Sequence, residues 1–381
     1  MAVVFPASIV KHFESLPDPR HDRNRRHRLI DVIAIAVCGV IVGCEGPTSI
    51  ALWAKTQRAW LATFLELPAG IPSRDCLRRV LSLLKPEAFQ RCFQEWIAAC
   101  VASGEGERVR HVAIDGKTLR RSHDRRRALG PLHVVSAWAS EQGVALGQLA
   151  TDEKSNEITA IPELLDHIDV AQAVVTIDAM GCQKEIAQKI VDAKGDYVLA
   201  VKDNQPKLCE AIQEFFDDHL EDDLARVPHR RCETHDQGHG RKDDRYYYLA
   251  KLPQDFPRQD EWPSLKAIGL AVRVTQRPDG RETCDVRRYI VSRYLSGQRF
   301  ADAVRGHWGV ENSLHWVLDV TFNEDQSRAR ARRLADNLGW LRRFAIGLLK
   351  QHPAKASIKG KKQLAAWSTD FLTEVLTLEA T

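Results

Sequence analysis

Three carboxylates stand where they could do chemistry. The runs Val112-Ala113-Ile114-Asp115 and Val175-Thr176-Ile177-Asp178 read alike, each three strand-forming residues followed by an aspartate. In an open α/β sheet, ligands bind in the crevice beyond the carboxyl ends of the strands. If these two strands are parallel neighbours, Asp115 and Asp178 share one edge. Like charges that close need a counter-cation, and a hard divalent ion with oxygen ligands, Mg²⁺ or Mn²⁺, is the natural one. The third acid is Glu311, within His307-Trp308-Gly309-Val310-Glu311-Asn312-Ser313-Leu314-His315-Trp316-Val317-Leu318-Asp319. Read as an α-helix, Ala303, Val310, Leu314 and Val317 form a core-facing stripe, while Glu311, His315 and Asp319 fall at i, i+4 and i+8 on an adjoining one. Ionisable groups beside buried surface are costly unless metal, substrate or partner charges compensate. Asp115, Asp178 and Glu311 are therefore the candidate catalytic and metal-binding residues. Two divalent ions held there could activate a water or a 3′-hydroxyl and stabilise the leaving oxygen in phosphodiester chemistry. Either aspartate alone reads as a strand-end turn or cap; the pair with a helical glutamate reads as a site. Asp319 lies about 12 Å from Glu311 along the axis, too far to share an ion, and is assigned to orienting His315 or pairing an arginine.

Cations accompany these acids. Lys117, Arg120 and Arg121 follow Asp115, and Lys202, with Asn204 nearby, ends the last core strand; a phosphate backbone laid over the acids would meet them. Basic residues also bunch at 20–28, where Arg25, Arg26 and Arg28 form an arm suited to tracking a backbone, at 120–127 and at 328–343. Such clustering suits a polyanionic partner, or simply a solvated surface. Gly116-Lys117-Thr118 is not a P-loop, because the first glycine would fall at 111, where His111 stands. His229, Cys232, His235 and His239 could in principle bind zinc, but their spacing without a CxxC favours an ordinary loop. Cys182 lies near Asp178 without a paired base and reads as small apolar filler.

The elements that must position these residues divide the chain. At 381 residues, two or three domains are expected. Apolar spacing predicts helices over 29–42, 50–65, 76–84 and 88–101, so residues 1–105 form a helical region suited to DNA, with Ser73 as an N-cap that places Arg74, Arg78 and Arg79 around one helix. Strand signals follow at 109–114, 132–139 and 144–149, then helix 159–168, strand 173–177, helix 184–193 and strand 197–201. This is a mixed α/β sheet. Helix 206–220 and strands 245–252, 267–275 and 283–292 make a β-rich insertion over about 203–300. The acidic helix and a second amphipathic helix at 328–350 complete a domain of 106–350, with 351–381 as a tail. Nine scattered cysteines and the absence of a signal-peptide pattern predict a reduced, cytoplasmic protein. The longest apolar run, 29–43, contains Asp31 and is too short to span a membrane.

Over nearly its whole length the chain resembles the DDE insertion-sequence transposases, in particular the ISAs group with the H-repeat-associated proteins. The resemblance is carried by Leu16-Pro17-Asp18-Pro19-Arg20, Gly70-Ile71-Pro72-Ser73, Ile114-Asp115-Gly116-Lys117, Lys154-Ser155-Asn156-Glu157, Ile177-Asp178-Ala179-Met180-Gly181, Lys202-Asp203-Asn204-Gln205, His239-Gly240-Arg241, and His307 to Asp319 continuing to Glu324-Asp325. It implies a ribonuclease-H-like core, Asp115, Asp178 and Glu311 on two Mg²⁺ ions, and an insertion before the acidic helix. It also implies double-stranded DNA as partner, with a homodimer in the DNA complex, cleavage at the element's ends and strand transfer. The wider signature Tyr-x2-Arg-x3-Glu-x6-Lys is kept only at Glu311; Val304, His307 and Leu318 stand at its other positions. His307, Asn312 and His315 are then the candidates for phosphate contacts. A nuclease without strand transfer, or a DNA-binding protein that keeps the fold without the chemistry, are the alternatives.

Overall fold

The computed structural model describes residues 12–103, 110–124, 128–151, 157–238 and 240–377. The N-terminal region is helical and includes, among the described residues, α1 (Leu29–Ile41), α2 (Pro47–Thr56), α3 (Arg58–Leu61), α4 (Arg74–Leu83) and α5 (Pro86–Ser103). Their starts follow local chemistry. Pro47 takes the first turn of α2, where its missing N–H costs nothing, and the Ser73 hydroxyl accepts the Cys76 N–H at the head of α4. Helix α1 is buried along nearly its whole length, as its apolar composition requires.

A nine-stranded sheet runs in the order β3-β2-β1-β4-β5-β9-β8-β7-β6. Strands β1 (His111–Leu119), β2 (Leu132–Ala139) and β3 (Val144–Thr151) form an antiparallel meander. After α6 (Glu157–Leu165), β4 (Val174–Ile177) lies parallel to β1, and after α7 (Lys184–Asp192), β5 (Asp196–Val201) lies parallel to β4. These five strands have the order and directions of a ribonuclease-H-like core.

The predicted insertion does not form a separate sheet. Helix α8 (Pro206–Leu220) leads into β6 (His229–Gly238), β7 (Arg241–Lys251), β8 (Ala267–Gln276) and β9 (Glu282–Val291), and β9 pairs antiparallel with β5, continuing the core sheet. Strand β6 was hidden in the sequence because its residues, HRRCETHDQG, are almost all polar, as suits an exposed edge.

Helices cover both faces. Val112, Ile114, Val175 and Leu199 pack with α6, α7 and α8 on one side. On the other lie α9 (Gly297–Val310), its continuation to Thr321, and α10 (Arg332–Gln351). The N-terminal helices share one core with α10, where Phe93 and Trp96 pack against Phe344 with their rings tilted. Helices α11 (Ile358–Trp367) and α12 (Thr369–Thr377) close the chain. No helix among the described residues is long and apolar enough to cross a membrane.

Candidate active site

In the β1–β4 ladder Ile114 stands opposite Ile177, so Asp115 and Asp178 are the next residues on adjacent parallel strands. Asp178 follows the end of β4, as expected. Asp115 does not end its strand, because β1 continues to Leu119 by pairing with β2 alone. Glu311 is exposed at the point where α9 passes into two π-helical segments, Glu311–His315 and Val317–Thr321. Such wide turns are uncommon and recur at functional sites. The expected apolar stripe of Ala303, Val310, Leu314 and Val317 is buried nonetheless. All three acids line one cavity of about 190 Å³, with Lys202, Arg287, Arg288, His307 and Trp308 also on its wall.

The carboxylates are held differently. Asp178 Oδ1 caps the turn Ala179–Gly181, accepting the Met180 and Gly181 N–H groups at 3.1 and 3.4 Å. The Asn204 amide braces that turn by donating to the carbonyls of Ala179 and Cys182, so Asn204 is a support for the loop of Asp178 as well as a surface residue. Asp115 Oδ1 accepts the Gly116 N–H at 2.8 Å, and its Oδ2 lies 3.5 Å from His315 Nδ1. Burial pushes the Asp115 carboxyl up to about 7; the neighbouring charges of Asp178, Glu157 and Glu311 add to this and the Gly116 N–H opposes it. Glu157 is buried and paired with His133 on the other face of β1, and only glycine fits at 116, where a Cβ would meet both side chains.

Three histidines are kept neutral beside the acids. The Thr176 hydroxyl bridges His111 Nε2 at 2.8 Å and His307 Nδ1 at 3.2 Å. Burial lowers His111 to about 3, His307 to about 4 and His315 to about 3. His315 Nε2 is buried without a hydrogen-bond partner among the described residues. Sequence reasoning missed His111 and Thr176, although Thr176 lies in the quoted strand and its hydroxyl, two residue pairs before the acids, was the available signal.

Lys117 corrects an expectation. Instead of facing a phosphate, it is buried, and its Nζ lies 2.7 Å from Asp319, 3.2 Å from Asp325 and 3.8 Å from Glu324. Asp319 accordingly pairs this lysine, neither an arginine nor His315. Glu324 is itself buried against Arg342 and Arg343. Arg120 is exposed and 3.3 Å from Asp325, and Arg121 and Lys202 are exposed. In the N-terminal arm Arg20 is buried, forked on Asp18 and bonded to the His27 carbonyl, so it holds the loop together. Arg25 is clipped to Asp18 and Asp22, Arg28 to Glu66, and Arg26 is exposed.

The donor set suits a hard cation in its chemistry: three oxygen acids, one of them destabilised as an anion by burial and, to a lesser degree, by its like-charged neighbours. Among the described residues, no three His, Cys, Asp or Glu side chains converge on a point that would hold one ion. Asp115 and Asp178 each direct an oxygen at backbone N–H groups instead. In β6, His229 bonds the Val227 carbonyl, Cys232 faces Gln298 and His235 pairs with Asp244, while His239 lies outside the described residues. A three-residue spacing alternates faces in a strand, so Cys232 points away from His229 and His235. Cys182 is buried, its thiol pushed up to about 12 by burial, as befits core filler.

Comparison with known proteins agrees with this reading of the fold. Residues 108–348 match the family model for the transposase DDE domain, and residues 10–97 match the domain associated with it. YncI of Escherichia coli O157:H7, named as a transposase, is 38% identical over 373 residues, covering 97% of this chain and 94% of that one. The H repeat-associated YhhI of Escherichia coli (strain K12), also named as a transposase, is 38% identical over 375 residues, covering 97% of each. The piggyBac transposase synaptic complex with hairpin DNA aligns with a TM-score of 0.40 at 11% identity, over 99% of this chain and 79% of that one, too distant to carry argument. With the two family models matched over residues 10–97 and 108–348 and relatives aligned over nearly their whole length, the chain belongs to the DDE-domain transposases of the H-repeat-associated type.

Proposed function

We propose that this transposase cuts a phosphodiester at the ends of its element with divalent-metal assistance and joins the freed 3′-hydroxyl to target DNA. The observation that carries the reading is the register of β1 and β4, which sets Asp115 beside Asp178 in a cavity that Glu311 also lines. Those three would hold Mg²⁺ or Mn²⁺, two ions being expected. Bound there, such ions supply Lewis acidity to the scissile phosphate and lower the pKa of an attacking water or hydroxyl.

The chain's own groups do the rest. Lys202, Arg287 and Arg288 on the cavity wall attract and orient the phosphate. His307, held by Thr176 and kept neutral by burial, presents a ring that can hydrogen-bond the phosphate without competing for charge with a cation. His315 braces Asp115 through Nδ1 and has Nε2 free for a further contact. The N-terminal helices, with Arg26 exposed and Arg74, Arg78 and Arg79 on α4, bind the element's double-stranded ends, and the chain works on them as a homodimer.

The test is cleavage and joining of a duplex carrying the element's own ends, with Mg²⁺. Asp115→Asn and Asp178→Asn should each abolish cleavage and leave end binding largely intact. Cutting at near wild-type rate by either variant would sink the assignment. Cleavage without a joined product would reduce the activity to that of a nuclease.

A further inference from the structure

A second cavity, of about 280 Å³, adjoins the cavity that the acids line. Its floor is the face of the sheet that looks toward α9. Toward the start of α9 that face is apolar, with Tyr247, Leu249 and Tyr289 packed around Phe300. Farther out the same face turns basic, since Arg245 stands opposite Arg273 across the β7–β8 ladder and Ala271 opposite Arg287 across β8–β9. The helix supplies the wall: Arg305, Trp308 and Asn312, at i, i+3 and i+7, line the cavity.

The arginines are fixed before any ligand arrives. Asp243, buried, holds Arg241, Arg245 and Arg273 at 3.4, 3.2 and 2.9 Å and also accepts the Thr275 hydroxyl. Asp236 holds Arg245 and Arg305. Arg287 pairs with Asp285 and lies over the Trp308 ring, 3.4 Å from its centroid. Five guanidinium groups thus share three carboxylates, which orients them without neutralising them. A network that served stability alone would gain nothing from the surplus, because like charges repel and exposed pairs are worth little. Arg287 and Trp308 line the acid cavity as well, so the two cavities meet at this stacked pair.

We propose that the arginine face of β7–β9, walled by Arg305, Trp308 and Asn312, is a docking groove for the sugar–phosphate backbone of DNA adjoining the phosphodiester held at the acids. Planar guanidinium forks match phosphate oxygens two at a time, which is why arginine suits this surface better than lysine. The inference rests on the transposase reading above and assigns to the outer strands the task of carrying the DNA past the site.

The test is salt-dependent binding by the full chain, in EDTA, of a fluorescein-labelled DNA duplex of mixed sequence, read by anisotropy. Removing one arginine–phosphate contact makes the log–log salt slope shallower by roughly 0.9. Arg241→Gln with Arg305→Gln, both partly exposed, should therefore flatten it by about two. Arg305→Gln alone, a change on an exposed helix position, should flatten it by about one while melting like the wild type. A control with equal charge loss elsewhere, Arg226→Gln with Lys194→Gln, should keep the wild-type slope. Wild-type slopes in the groove variants, or equal flattening in the control, would overturn the groove and leave the transposase reading standing. Failure of the wild type itself to bind the duplex would overturn the DNA reading as a whole, and cleavage does not enter the measurement.

Discussion

Replacing Lys117 by methionine keeps the apolar stem and deletes one charge from a buried cluster. The lysine is 8% exposed, and its partners Asp319, Asp325 and Glu324 are 34%, 20% and 0% exposed. Glu324 would keep Arg342 and Arg343 at 3.6 and 3.3 Å, so the deficit falls on Asp319 and Asp325. Breaking a buried ion pair by removing one partner costs roughly 3–5 kcal/mol. Water reaches both aspartates in part, which places this case at the low end, about 3 kcal/mol. Arg120, 3.3 Å from Asp325 but 80% exposed, offsets little of it. At roughly 2 °C per kcal/mol for a chain of this size, the main thermal transition should fall by about 6 °C. The consequence reaches the site, because Lys117 and Asp115 lie on the same face of β1 and Asp319 is on the helical run that begins with Glu311. The lysine clamps the strand of one acid to the helix of another, so Lys117→Met should also cut more slowly at temperatures where it remains folded. Calorimetry or circular dichroism melts alongside the cleavage assay measure both effects. A melting point within about 1 °C of wild type, with normal cleavage, would refute the clamp.

Glu311→Gln should lose cleavage at every Mg²⁺ concentration, whereas Asp319→Asn, which keeps a hydrogen-bonding group near Lys117, should cut measurably and lose about 1–2 kcal/mol of stability in urea melts; an active Glu311→Gln and a dead but folded Asp319→Asn would exchange their roles. Asp336, buried in α10 with Gln148 donating to its carboxylate, is pushed up to about 6 by burial. A folded-state value above the unfolded one means the contribution is fully present below about 4 and is lost as pH rises to about 6. The Asp336→Asn variant should therefore lose less stability than wild type between pH 4 and 7, by on the order of 3 kcal/mol, and parallel melting curves would contradict this.

The acids were legible in the sequence because their signals are local. A run of three strand formers closed by aspartate needs no partner to be seen, and its repetition invites the parallel pairing that Ile114 and Ile177 make. The extra length of β1 was not legible, since Gly116-Lys117 breaks the run of strand formers and is extended because Val135 and Val134 of β2 lie alongside. The polar edge strand β6 escaped for the same reason: pairing with β7, and not side-chain burial, makes it a strand. Lys117 shows most clearly where local reading stops. A lysine after an aspartate looks like a phosphate ligand until the chain returns, some two hundred residues later, with Asp319, Glu324 and Asp325. The four-residue spacing of Glu311, His315 and Asp319 suggested that these side chains answer to one another. The wider π turns leave them on separate duties instead, with Glu311 at the cavity, His315 against Asp115 and Asp319 on Lys117. One irregular helix thus reaches two points of β1, and that double attachment fixes how the third acid meets the other two.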